Sequence, residues 1–166
     1  MRYLLITLVY CLFFAKGGYT QVSVTRNYVH KSDVKKPGII NQAQVDALSS
    51  TNDRMQQVSY FDGLGRPLQS VFIKGSHGIN DIVTPIEYDN YGREVKKFLP
   101  YVDDGTALGS LRSDAVTSQA YYYNEANSGS DASKDINPFS QTFLEFSPKS
   151  RLKETSTDFF RSSSAG

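Results

Sequence analysis

The sequence predicts a mainly β fold: successive antiparallel hairpins with one or two short helices and a flexible insertion. Three observations carry that expectation. First, an aromatic-Asp-x-x-Gly-Arg pattern occurs twice in phase, as Phe61-Asp62-Gly63-Leu64-Gly65-Arg66 and Tyr88-Asp89-Asn90-Tyr91-Gly92-Arg93, 27 residues apart. A period of that length points to an array of small structural units. Second, Asp at the first position of each turn and Gly at the fourth are type I turn preferences, and the Gly can take the positive φ of a bulge. Third, 11 Tyr and 10 Phe without any Trp suit half-buried strands better than a self-contained aliphatic core.

The chain opens with Arg2 before an uncharged apolar run, Tyr3 to Ala15, which Lys16 ends. The run is too short for a bilayer span of about 20 residues and has the flanks of a secretory signal. Residues 1–20 are therefore expected to be removed, by cleavage near Thr20–Gln21 or just after Gly17. Tyr10 before Cys11 is wrong for a lipoprotein site, and Cys11 is the one cysteine. The exported chain then has no disulfide and no thiolate. Losing Arg2 and Lys16 from 18 basic residues, against 17 acidic ones, leaves a formal charge of about −1. That balance gives no electrostatic footprint for nucleic acid or for an anionic membrane surface.

Residues 21–156 form the expected domain. Gln21 to Lys36 alternates loosely and is expected to be extended until Pro37-Gly38 breaks it. Asn41 caps a short helix that runs toward Ser49, with Val45 and Leu48 on one side. The first hairpin is expected over residues 56–73 and the second over 83–99, with Ser76 to Asp81 between them. A worn copy, Phe146-Ser147-Pro148-Lys149-Ser150-Arg151, suggests a third over 142–156, with Ser147 replacing Asp and Ser150 replacing Gly. If Asp pairs with Arg across each turn, Phe61 faces Pro67, Tyr88 faces Glu94 and Phe146 faces Leu152. One step outward, Tyr60 faces Leu68, Glu87 faces Val95 and Glu145 faces Lys153. Pro67 cannot donate to a ladder and belongs at an edge or bulge. Between the second and third copies, Ser113 is expected to cap a helix to about Asn124 with Val116, Ala120 and Tyr123 on one face. Asn127 to Lys134 reads as a polar, flexible loop. Residues 157–166 read as a disordered tail.

Catalytic chemistry is not legible. His30 and His77 are the only histidines, and the glycines around His77 place it in a surface loop. There is no nucleophile elbow and no phosphate-cradling loop. Asp131-x-Ser133-x-Asp135 begins like a calcium loop, but Ile136 takes the Gly place and Thr142 the bidentate Glu place. Asp103-Asp104 reads as a turn before Gly105. Tyr121-Tyr122-Tyr123 cannot form one flat face on a helix, so at least one ring is core. No enzyme activity, cofactor or metal is expected.

The segments Val58 to Gln69 and Val83 to Tyr101 resemble the YD repeats of bacterial rearrangement-hotspot (RHS) proteins. More narrowly, Asn27 to Arg151 looks like the N-terminal domain of unknown function of secreted RHS-repeat proteins. The string from Phe61 to Gln69 is the most specific part. The resemblance implies hairpins that spiral into a long sheet, closing in large members around a C-terminal toxin or effector. It implies a secreted or cell-surface location and a role in competition, adhesion or toxin delivery. Only scaffold roles carry over: Phe61, Asp62, Gly65 and Arg66, then Tyr88, Asp89, Gly92 and Arg93, then the worn Phe146, Ser147 and Arg151. The expected partners are further repeats, an RHS core or a C-terminal effector. Family members are far longer, which makes a truncated, non-functional fragment one alternative. Another is a carbohydrate-binding or adhesin module that meets surface glycans through aromatic-rich hairpins.

Overall fold

A computed structural model describes residues 22–23, 25–105, 107–124, 127, 132–145, 149 and 151–157. The expected leader, the residues from 158 on, and residues 128–131 of the Asn127–Lys134 loop lie outside the described residues. The fold is mainly β. Five strands form one antiparallel sheet in the order β1-β2-β3-β4-β6, and three form a second in the order β5-β7-β8. The strands are β1 (Asn27–Val34), β2 (Arg54–Phe61), β3 (Pro67–Ile73), β4 (Asp81–Pro85), β5 (Lys96–Phe98), β6 (Tyr101–Asp103), β7 (Phe139–Leu144) and β8 (Leu152–Thr157). Two helices accompany them, α1 (Gln42–Asp46) and α2 (Ala115–Tyr122).

Period-2 alternation builds the core of the larger sheet. Val58, Val71, Val83 and Tyr101 lie opposite one another across β2, β3, β4 and β6. Tyr60 and Ile73 extend this buried face, and Ala115 of α2 packs on it. Side chains alternate along a strand, so one register step would turn the whole stripe outward. Strand β1, by contrast, is exposed along its full length and ends the sheet.

Local signals account for the short elements. Asn41 Oδ1 accepts from the Gln44 amide at 2.9 Å, the expected cap of α1. Helix α2 differs from expectation. Asp114, not Ser113, takes the cap position, and the buried residues are Ala115 and Gln119, while Ala120 is exposed. Gln119 explains the shift. Its Nε2 donates to Pro138 O at 2.6 Å, so a polar side chain occupies the inner face with its donor satisfied.

The registers correct three expectations. Phe61 does face Pro67, but Tyr60 faces Gln69 rather than Leu68. A bulge lies there, next to the proline that has no N–H to give. The second motif does not close a β-hairpin. Strands β4 and β5 on either side of it lie in different sheets, so the Tyr88–Glu94 and Glu87–Val95 ladder pairs do not form. The physical reason is occupancy: β3 and β6 already take both edges of β4, and β5 pairs with β7 instead. In the last hairpin Leu152 faces Leu144, not Phe146, and Thr157 belongs to β8 rather than to a tail.

Candidate functional site

The two intact motifs fold into the same hydrogen-bonded unit. In the first, Gly65 N–H donates to Asp62 O at 3.1 Å and Asp62 N–H donates to Arg66 O at 2.9 Å. In the second, Gly92 N–H donates to Asp89 O at 2.8 Å and Asp89 N–H donates to Arg93 O at 2.9 Å. Gly65 and Gly92 have φ of +77° and +74°, where an L side chain is strained.

The aspartates tie each turn from within. Asp62 Oδ1 accepts from the amides of Leu64 (2.8 Å) and Arg66 (2.9 Å). Its Oδ2 accepts from Arg66 Nε and Nη2, both at 2.7 Å. Asp89 repeats the pattern, with the Tyr91 and Arg93 amides at 2.9 Å on Oδ1. Arg93 Nε and Nη2 meet its Oδ2 at 2.8 and 2.7 Å. Each carboxylate thus accepts four hydrogen bonds, which favour the charged form. The Arg66 amide leads in holding Asp62 below its ordinary value, and the Arg93 side chain leads at Asp89. Carboxylates so engaged are poorly placed to shuttle protons; they set backbone shape.

The units also touch. The Arg66 guanidinium lies over the Tyr88 ring, 4.6 Å from its centroid. On another side it meets Gly92 so closely that an added Cβ there would stand 2.8 Å from Arg66 Nη1. The Tyr88 hydroxyl donates to Pro67 O at 2.9 Å, back into the first unit. Burial, followed by the charge of Glu94, pushes the Tyr88 phenol above its ordinary value, so it remains a donor. Arg66 of the first unit is therefore held between the aromatic and the glycine of the second. Arg93 covers Tyr91 at 4.9 Å and extends Nη1 to within 3.5 Å of Glu145 O, at the start of the third turn.

The worn copy is built differently. Phe146 and Ser147 lie outside the described residues. Glu145 closes the turn among the described residues: its N–H donates to Arg151 O at 2.9 Å, as Asp62 does to Arg66. Arg151 Nε lies 3.2 Å from Glu145 Oε1, replacing the expected Glu145–Lys153 pairing. Phe61 ends β2, half-buried beside its turn.

Sequence reading missed a second polar cluster. Asp81, fully buried, accepts from Lys74 N at 3.0 Å and Gly109 N at 2.6 Å, and Arg112 Nη2 lies 3.2 Å away. Arg112 also holds Asp103 at 2.6 Å, so Asp103 closes β6 instead of opening a turn. Gln69 clasps the backbone of Arg112, donating to its O at 3.0 Å and accepting from its N at 2.9 Å. These partners are far apart in sequence, and no local pattern announces them. Of the histidines, His77 is exposed in a turn, and His30 lies on β1 beside Gln56. Burial, then the Arg54 charge, lowers the His30 pKa. Among the described residues no group of three or more His, Cys, Asp or Glu gathers as a metal site, and no helix is long and apolar enough to cross a membrane.

Comparison with protein families matches residues 33–158 to one described as a domain of unknown function, DUF6443. No curated protein and no solved structure matches the chain. The matched span takes in both stacked turns, the Arg112 cluster and every strand of both sheets except most of β1. The chain belongs to the DUF6443 family.

Proposed function

We propose that this chain is a non-catalytic structural segment of a secreted or cell-surface protein of the RHS/YD-repeat kind. In this reading it lays down stacked turn units that begin a β scaffold for toxin or effector delivery or for intercellular competition. One observation carries the proposal: Arg66 of one unit is clamped between Tyr88 and Gly92 of the next. A motif whose arginine satisfies its own aspartate and then docks on the following aromatic is a coupling device that an array can repeat. The ends of the sheets fit the same role. Strands β1 and β8 each terminate a sheet, and among the described residues neither pairs on its outer side. A continuing array adds strands or covers at such edges.

The aromatic geometry supports a scaffold over a hairpin glycan platform. Tyr88 lies beneath Arg66, and the pairs Tyr28–Tyr60 and Phe98–Phe139 are tilted at 53° and 58° rather than coplanar. The test is mass spectrometry of secreted and surface fractions. The reading expects peptides of this chain within a much longer product that carries further YD motifs. Recovery solely as a polypeptide of about this chain's own 18.5 kDa would overturn it.

A further inference from the structure

Strand β1 ends its sheet, pairs on its outer side with no strand among the described residues, and is exposed along its whole length. Its pairing with β2 fixes which backbone groups face out. Lys35 N–H, one step past β1, donates to Asp53 O at 2.8 Å, whereas Arg54 N–H, opposite Val34, donates to Ser50 O instead. Antiparallel pairs alternate between bonded and non-bonded. Val29, Lys31 and Asp33 therefore bond inward to β2, and Tyr28, His30, Ser32 and Val34 turn their N–H and C=O groups outward. A row of outward donors and acceptors on an exposed strand is a template for a further strand.

The charges of β1 narrow what that strand is. Lys31 and Asp33 stand two residues apart on one face of the sheet, with side chains 65% and 58% exposed and Nζ 2.9 Å from Oδ2. A lone Lys on an edge normally keeps other strands away. Here the neighbouring Asp33 makes the edge self-complementary. An antiparallel copy of β1 must set outward residues against outward residues, which leaves few symmetric registers. Centred on Lys31, the pairing sets Lys31 against itself. Centred on Asp33, it sets Asp33 against itself and Lys31 against Lys35. Centred on His30, it leaves Lys31 opposite Val29. Centred on Ser32, it sets Lys31 opposite Asp33 of the copy and Asp33 opposite Lys31 of the copy, and bonds His30 to Val34. Opposite charges directly across a ladder are favourable and like charges unfavourable, so the Ser32 register wins. Such a contact uses the same patch on both copies and closes as a dimer, continuing one five-stranded sheet into the other.

We propose that two copies of this chain dimerise edge to edge through β1, antiparallel and centred on Ser32. The inference goes beyond the scaffold reading, which joins turn units within one chain, and either can fail without the other. The test is sedimentation velocity of the whole chain over a concentration series, with charge reversals. The unaltered chain is expected to show a monomer–dimer equilibrium. Lys31→Glu and Asp33→Lys, each alone, set like charges across the ladder and are expected to weaken dimerisation about tenfold. An equimolar mixture of the two variants is expected to restore it, because each then meets the opposite charge at both positions. Both side chains are exposed, so far-UV circular dichroism is expected to stay unchanged. Hydrogen exchange is expected to slow with concentration at the His30, Ser32 and Val34 amides and to stay constant at Lys31 and Asp33, which already bond to β2. A single monomeric species at every concentration would overturn the proposal. So would association that neither single variant weakens, or open-ended growth, which would mean that β1 meets β8 of the next copy.

Discussion

Gly65 and Gly92 offer a matched pair for testing whether the turn units are coupled. Their φ values differ by only a few degrees, +77° and +74°. An alanine at either must adopt the left-handed conformation, at about 1–2 kcal/mol. Their surroundings differ. A Cβ at Gly65 meets nothing within 4 Å, whereas at Gly92 it would stand 2.8 Å from Arg66 Nη1. Arg66 cannot yield freely, because Asp62 grips its Nε and Nη2. Moving it lifts the guanidinium from Tyr88, and an exposed cation–π contact is worth about 0.5–1 kcal/mol. Gly92→Ala is therefore expected to cost about 0.5–1 kcal/mol more than Gly65→Ala. Urea unfolding followed by far-UV circular dichroism measures both, since the chain has no Trp to report. In an Arg66→Ala background the excess should shrink to within about 0.3 kcal/mol of zero, the usual additivity limit. Equal costs in the unaltered background would refute the clamp.

Three further outcomes follow from the same geometry. The pKa values of Asp62 and Asp89 are depressed, so their contribution is present above the ordinary 3.8 and is lost as pH falls through the folded values. Urea midpoints should accordingly drop below pH 4, and Asp62→Asn with Asp89→Asn should flatten that drop. Arg112→Met leaves the buried Asp81 carboxylate without its cation and should destabilise by about 3–5 kcal/mol, read by urea unfolding. Tyr60→Phe removes a hydroxyl that donates to Gly109 O at 2.7 Å and accepts from Ser23 N at 3.0 Å. That change should cost about 1–3 kcal/mol in the same assay.

What the sequence made legible was local. Asp, Gly and Arg lie within five residues of one another, so turn geometry, positive φ and the internal carboxylate bonds follow from side-chain chemistry alone. Asn41 announced α1 in the same way. What stayed hidden was set by distant partners. The second turn looks like the first in sequence, yet its flanking strands part because β6 occupies the free edge of β4. Helical spacing favoured Val116, Ala120 and Tyr123, whereas the buried side includes Gln119, whose amide reaches Pro138 O. A search for apolar residues passes over such a glutamine. The Asp81–Arg112–Gln69 network likewise joins residues 31 and 43 positions apart, and only the assembled sheet brings them together.

The double-mutant cycle between Arg66→Ala and Tyr88→Leu measures the contact between units with the least intervening assumption. A coupling of about 0.5–1 kcal/mol in urea unfolding is expected if Arg66 of the first unit docks on Tyr88 of the second. Additive effects, with coupling indistinguishable from zero, would mean that the two turns are independent and that the stack has no energetic reality.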